Sequence, residues 1–321
     1  MAISVSVVIP NYNGEVYIEE CLKSLTKQSC KDFETVVIDN ASIDKSMDII
    51  RKYQQELSMN LIINDKNLGF SGAVNQGIQA AKGKYIFLLN NDTICEDKVI
   101  EELITTAQRQ KKLFSVSSKM IRYKEPEKID DAGDLYTIVG WAIKRGDGKT
   151  VNSFTDERNI FSACGGASLY VTEVLREIGG FDTQFFAYLE DMDLGYRAKV
   201  QGYKNVYCPK ALVYHIGSAT SGSRHNAFKV ALAARNNIYV IYKNMPLLQI
   251  LINLPFIIAG ALVKIIYFLP KGLSKEYLKG LFQAFTGLRK IKKTKFKLKN
   301  LINYVRIELE LIGNTVKMFF V

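Results

Sequence analysis

The sequence predicts an α/β fold with a mostly parallel sheet, followed by a helical, basic, membrane-associating tail. Three observations lead there. Short β-branched and apolar runs alternate with amphipathic stretches as far as Ser118, the pattern of βα units joined by right-handed crossovers. Those runs stop abruptly in polar clusters, most clearly where residues 84–89 give way to Asn90-Asn91-Asp92. Beyond residue 245 the composition changes to a long apolar run and then a basic one. With 321 residues and 48% apolar side chains the chain can bury a large core, which excludes a disordered protein.

Residues 4–9 form the first strand, and Pro10 ends it, leaving Asn11-Tyr12-Asn13-Gly14 as a loop before a helix carrying Ile18, Cys21, Leu22 and Leu25. A dinucleotide-binding domain would place G-x-G-x-x-G here, and a nucleotidyltransferase a longer Gly-rich loop ending in a basic residue; neither is present. Residues 33–38 repeat the pattern and end in Asp39-Asn40-Ala41-Ser42, with Asp44 expected to cap a helix reaching Leu57. After a third strand at 61–63, Asn67-Leu68-Gly69-Phe70-Ser71-Gly72 opens a helix containing Asn75 and Gly77. Its N-terminus suits phosphate, and glycines needed only for a turn or close packing explain it nearly as well.

Residues 84–89 are the fourth strand. Ligands of open α/β sheets bind beyond the carboxyl ends of the strands, and a carboxylate there suits a hard cation. Asp92 is therefore a metal-ligand candidate, with a plain β-turn as the equal alternative. From 119 to 150 the pattern dissolves into turns around Gly133, Gly140, Gly146 and Gly148, an expected insertion that carries Trp141. An aromatic in a cleft can stack on a sugar, although a packed Trp is commoner. The small residues of 162–168, Gly166 among them, permit close backbone approach to a ligand.

Gly179-Gly180 closes a short helix at 172–178, and an aromatic stretch then leads into Glu190-Asp191-Met192-Asp193. Carboxylates at a helix start can simply complement the macrodipole, while one set among aromatic side chains can serve as a general base. Residues 210–214 form a strand ending in His215, which is either structural or a ligand beside Asp92.

The formal charge of +11 is uneven: ten basic residues oppose only Glu276 between 271 and 300, so nine of the eleven net charges fall there. Such a block beside apolar helices points to an anionic membrane surface or a phosphate-bearing substrate, not nucleic acid, for which no motif is present. Five scattered cysteines outside any C-x-x-C pair, and an N-terminus without a basic signal region, are expected of a cytoplasmic protein. Residues 246–270 are apolar but interrupted by Asn253, Pro255, Gly260 and Lys264, and 271–299 read as an in-plane amphipathic helix. The division expected is 1–245 for the catalytic domain and 246–321 for the tail, bound peripherally to the cytoplasmic face of the membrane. The other arrangement is a helical bundle packed on the catalytic domain or on a second copy in a homo-oligomer.

Together these motifs resemble the inverting family-2 glycosyltransferases of the GT-A fold, closest to bacterial enzymes of the rhamnosyltransferase type. The likeness covers 4–237 and rests on Val7-Val8-Ile9-Pro10-Asn11-Tyr12-Asn13-Gly14, Asp39-Asn40-Ala41-Ser42, Asn67-Leu68-Gly69-Phe70, residues 88–92, Gly179-Gly180-Phe181-Asp182, 185–193 and His215. It implies a Rossmann-like, mostly parallel GT-A domain in which Pro10 and Tyr12 line a base pocket and Asp39 bonds a pyrimidine. By the same resemblance Asn67 and Asn75 lie near the nucleotide, and Asn90 stands where relatives place the first acid of D-x-D. Asp92 would then hold Mg²⁺ or Mn²⁺ with His215, and Asp191 would be the base. Trp141, Gly166 and Glu190 fall on the acceptor side. The implied partners are a nucleotide-diphosphate sugar donor, rhamnose being one candidate sugar, and a lipid-linked or glycan acceptor in cell-surface glycan synthesis. The alternative is a non-catalytic sugar-nucleotide-binding or assembly protein, which the missing first acid favours and the retained Asp191 opposes.

Overall fold

The computed structural model describes residues 3–217 and 226–320; Ser218, Thr220, Ser221 and His225 lie outside the described residues. The first half alternates as the residue pattern predicts: β1 (Val5–Asn11), α1 (Ile18–Thr26), β2 (Phe33–Asp39), α2 (Ser46–Tyr53), β3 (Met59–Ile63), α3 (Gly69–Ala80) and β4 (Tyr85–Leu89). β3, β2, β1 and β4 lie side by side and parallel, with Val8 opposite Val36 and Leu88. Val7, Val8, Phe87 and Leu88 are fully buried, as expected of strands covered by helices on both faces. α2 ends at Tyr53 instead of Leu57, because the chain turns there and the Met59 N–H returns to the Gln54 carbonyl at 3.1 Å.

The second half is β5 (Thr93–Cys95), α4 (Val99–Arg109), β6 (Leu113–Arg122), β7 (Ile129–Asp131), β8 (Asp134–Tyr136), β9 (Ala142–Lys144), β10 (Arg158–Ile160), β11 (Ala167–Val171), α5 (Thr172–Glu177), α6 (Glu190–Val200) and β12 (Lys204–His215). The main sheet runs β10-β12-β6-β11-β4-β1-β2-β3, with β5 on β12 and β7 on β6. β11 is antiparallel to both neighbours, so the sheet is mixed.

Two strands run further than the apolar pattern indicates, because polar side chains inside them are satisfied. β6 continues past Ser118 to Arg122, and the buried Lys119 ammonium donates to the carbonyls of Val151 and Ser153. β12 starts at Lys204, and the buried Asn205 accepts from the Ser115 hydroxyl at 2.7 Å and donates to the Phe161 carbonyl at 2.6 Å. Residues 119–150 are thus the end of a central strand, the short β7 paired with it and the β8–β9 hairpin, where the residue pattern predicts turns alone.

After β12 comes α7 (Ala227–Asn244), still within 1–245, and the tail consists of α8 (Leu247–Phe268), α9 (Ser274–Gly287) and α10 (Leu301–Lys317). Tyr304, Ile307 and Leu311 of α10 share a buried cluster with Tyr136, Phe161, Phe185, Tyr196 and Tyr239. α8 is unbroken, with Pro255 inside it, so that residue does not interrupt the helix. The expected helix over 271–299 stops at Gly287, leaving the lysines at 292, 293, 295 and 297 outside regular structure. Their mutual repulsion disfavours a helix, and Thr294 N–H instead donates to the Lys243 carbonyl at 2.8 Å.

Candidate active site

Parallel strands bring their carboxyl ends to one edge of the sheet, and Asn11 joins them there. Its amide nitrogen donates to Asp39 Oδ1 at 2.9 Å at the end of β2, and its amide oxygen accepts from Asn91 Nδ2 at 2.8 Å after β4. A side chain on Gly14 would meet both Asn11 and Asn91 within 2.3 Å, so glycine lets this loop close. Asp39 Oδ2 accepts from Ser42 N–H at 3.0 Å, fixing the carboxylate at the rim. Asn40 next to it accepts from Leu68 N–H at 3.0 Å and donates to Asn67 Oδ1 at 2.9 Å, which ties the loop before α3 to the same edge. Pro10 and Tyr12, both half-buried, flank Asn11.

Asp92 lies in the turn between β4 and β5, and β5 pairs with the end of β12 so that Thr93 faces His215. This pairing leaves His215 Nε2 3.5 Å from Asp92 Oδ2. On its other nitrogen His215 meets Asp130 of β7, Nδ1 to Oδ2 at 2.8 Å, and Lys144 Nζ lies 3.0 Å from the same oxygen. Burial opposes an imidazolium here, yet Asp130 and Asp92 outweigh it and carry His215 up to about 9. Burial likewise opposes the Asp130 carboxylate, and His215 and Lys144 nonetheless hold it far below the usual range. One hard oxygen and one imidazole nitrogen facing each other across a gap wider than a hydrogen bond form a donor set that fits a divalent cation.

Asp191 reaches this edge from α6 through two glycines. Gly165 N–H donates to Asp191 Oδ2 at 2.9 Å, and Gly166 accepts from Asn90 N–H at 2.8 Å, so consecutive residues join the carboxylate to the Asn90-Asn91-Asp92 turn. Met192 N–H donates to Oδ1 at 2.8 Å. Burial raises the Asp191 carboxyl above its ordinary value, with these backbone donors opposing the shift. The loop before α6 is held in an unusual shape: Phe186, Tyr188 and Leu189 have φ of 65°, 68° and 65°. Left-handed backbone at side-chain-bearing residues costs energy unless the surroundings impose it. Asn236 of α7 does so, its amide lying 2.9, 2.8 and 2.7 Å from the carbonyls of Phe185, Ala187 and Tyr188.

Residues 6–179, more than half of the chain, match the family model described as Glycosyl transferase family 2. The chain belongs to that family. The uncharacterized glycosyltransferase EpsJ of Bacillus subtilis is 33% identical over 105 residues, 33% of this chain and 30% of EpsJ, so the match spans under a third of that relative's length. Among solved structures, S. aureus TarS 1–349 in complex with UDP-GlcNAc has a TM-score of 0.55 at 18% identity, covering 98% of this chain and 81% of TarS 1–349. The mannosyltransferase PcManGT from Pyrobaculum calidifontis, in complex with GDP-Man and Mn²⁺, has a TM-score of 0.55 at 16% identity, covering 98% and 86%. These likenesses establish the GT-A fold.

Within this family-2 framework the remaining candidates separate. Asn75 has both ends of its amide engaged by the Phe181 backbone, at 2.7 and 2.9 Å, and so braces the loop that leads to Asp191. Glu190 is buried, its Oε2 without a hydrogen-bond partner among the described residues, and burial followed by Asp191 pushes its carboxyl well up. Trp141 turns to the tail, where Lys264 Nζ lies 4.7 Å from its ring centroid. Asn11, Asp130, Lys144 and Asn236 were not anticipated as site residues. Asp130 had a signal in the acidic spacing Asp130-Asp131-x-x-Asp134, whereas Asn236, in the middle of a helix, had none. Asp131, Asp134 and Cys164 bring ligand atoms within 4.8 Å of one another, and burial pushes Asp131 up to about 6.

Proposed function

We propose that this chain is an inverting glycosyltransferase moving a sugar from a nucleotide-diphosphate donor to a hydroxyl of a lipid-linked or glycan acceptor at a membrane surface. The observation that carries the reading is the Gly165-Gly166 bridge, which sets Asp191 beside the strand end bearing Asn90 and Asp92. Asp39, Pro10, Tyr12, Asn67 and Asn90 form the nucleotide side, and Asn75 shapes it from behind. Asp92 and His215 would hold Mg²⁺ or Mn²⁺, which supplies charge neutralisation for the departing diphosphate. Asp191 takes the acceptor hydroxyl's proton as the new C–O bond forms at the anomeric carbon. The bond to the diphosphate oxygen breaks on the opposite side, and its electron pair leaves with the nucleoside diphosphate. Gly166 and Glu190 border the acceptor.

Titrating UDP, dTDP and GDP by calorimetry with and without Mn²⁺ tests the donor side. At least one should bind in a metal-dependent way, and Asp92→Ala should weaken that binding tenfold or more, about 1.4 kcal/mol. Unchanged binding would remove Asp92 from the metal site. The acid limb of kcat/KM provides a further check. Asp191 must be ionised to act, and burial raises its carboxyl, so activity should fall as pH drops through a midpoint above the ordinary ~3.9. A limb at or below that value would contradict the assignment.

The membrane reading follows from which way α8 faces. Its polar and small residues turn inward: Gln249 and Asn253 donate to Glu308 at 2.7 and 3.0 Å. A Cβ on Gly260 would lie 2.7 Å from the Val139 carbonyl oxygen, and Lys264 covers Trp141. Its apolar residues turn outward, with Leu248, Leu251, Ile258 and Ile266 more than half exposed. α8 is long and apolar enough to cross a bilayer, but one side is already committed to polar protein contacts. A helix polar inward and apolar outward suits in-plane attachment to the cytoplasmic leaflet, and each lysine near an anionic surface adds about 1 kcal/mol. Full-length protein should float with anionic vesicles at low salt, and the triple substitution Leu251→Ser, Ile258→Ser, Ile266→Ser should abolish flotation. Wild-type protein left unbound would refute the attachment, and binding that resists carbonate would indicate spanning.

A further inference from the structure

We propose that Asp130 is a positioning residue for His215, with Lys144 holding Asp130 in turn; the inference rests on the metal assignment made above. β6 lies between the two partners: His215 of β12 pairs opposite Arg122 on one side, and β7, carrying Asp130, pairs through Asp131 opposite Met120 on the other. The side chains of His215 and Asp130 are 16% and 17% exposed, so water competes little for their 2.8 Å contact. Arg122 is occupied elsewhere, by Glu125 and Asp147, each at 2.7 Å.

An imidazole can present either nitrogen to a cation, and the group bound to the other nitrogen decides which. A carboxylate accepting from Nδ1–H fixes the tautomer and the ring plane, directs the Nε2 lone pair outward and makes it a better donor. Here Nε2 is the atom facing Asp92. Lys144 adds the next link at 3.0 Å, but its side chain is 41% exposed, so solvent screens its share. The β8–β9 hairpin that ends in Lys144 is anchored to α10, where Asn314 Nδ2 donates to the Tyr136 carbonyl at 3.1 Å and Ile138 N–H donates to Thr315 Oγ1 at 3.0 Å. A tail helix thereby helps to place Lys144.

The test is Mn²⁺ titration by water-proton relaxation, with and without UDP, on full-length wild type, Asp130→Ala, Asp130→Asn, Lys144→Met and His215→Ala. Circular dichroism and melting curves verify the fold of each. Asp130→Ala should weaken Mn²⁺ binding by about 10–100-fold. Asp130→Asn should lose less, because its amide oxygen still accepts from Nδ1–H, and Lys144→Met should change affinity by no more than about fivefold. Wild-type affinity in Asp130→Ala, together with a loss in His215→Ala, would overturn the positioning role and leave the metal site standing. Unchanged affinity in His215→Ala as well would instead remove the metal assignment, and the inference with it.

Discussion

Replacing Asp191 with Asn should lower kcat by about 10²–10⁴-fold, the usual contribution of a positioned general base, with nucleotide affinity nearly unchanged. The substitution keeps the side chain's size and removes its capacity to accept a proton. It also sets an amide N–H₂ against one of the two backbone donors now satisfied by the carboxylate, Gly165 at 2.9 Å or Met192 at 2.8 Å. A small stability cost is therefore expected beside the kinetic one, since a donor left facing a donor loses its hydrogen bond. Single-turnover transfer and calorimetric nucleotide binding, measured on the same preparations, separate the two effects. Equal turnover in wild type and variant would exclude Asp191 as the base.

Two residues further along α6, Asp193→Ala should leave the chemistry without a direct loss and destabilise the fold by about 3–5 kcal/mol, the cost of breaking a buried ion pair. Asp193 is fully buried. It accepts from Arg197 Nε at 2.9 Å, Lys243 Nζ at 3.0 Å and Asn244 Nδ2 at 2.8 Å. Removing it leaves the buried Arg197 guanidinium without a carboxylate partner and Lys243 with Asp182 alone, at 2.6 Å. Burial works against the Asp193 carboxylate, but Arg197 and Lys243 prevail and hold it below the ordinary range. Its stabilisation is thus complete above the unfolded value of about 3.9 and disappears as pH falls through the lower folded value. The melting temperatures of wild type and variant should differ widely at pH 7 and converge in acid. A variant that melts with wild type at pH 7 would show the cluster to be dispensable. Two acids of one motif, Asp191 and Asp193, would in this way divide into a chemical and a structural carboxylate.

The sheet's parallel half was legible because each strand there is an apolar run ending in polar residues, and the helices between carry clear amphipathic stripes. Legibility failed where polar side chains enter the core with partners distant in sequence. Lys119 and Asn205 hid the true lengths of β6 and β12, since nothing near them announces the carbonyls and hydroxyl that satisfy them. The site divided along the same line. Asp39, Asp92, Asp191 and His215 each stand at the end of a strand or the start of a helix, which local pattern reveals. Asp130 and Asn236 act on residues 85 and about 50 positions away, respectively, and only the fold brings them there. For Trp141 the sequence allows either stacking on a sugar or packing, and the ring lies under Lys264, because Gly260 leaves room for α8 to approach the hairpin.

Donor turnover by full-length protein in anionic lipid, using UDP-GlcNAc, UDP-galactose, dTDP-rhamnose and GDP-mannose with Mn²⁺, Mg²⁺ or EDTA, tests the proposed transfer most directly. At least one donor should be hydrolysed or transferred, EDTA should stop the reaction, and Asp191→Asn and Asp92→Ala should each suppress it. Turnover that persists undiminished in both variants, or no metal-dependent turnover of any nucleotide sugar, would contradict the proposed transfer.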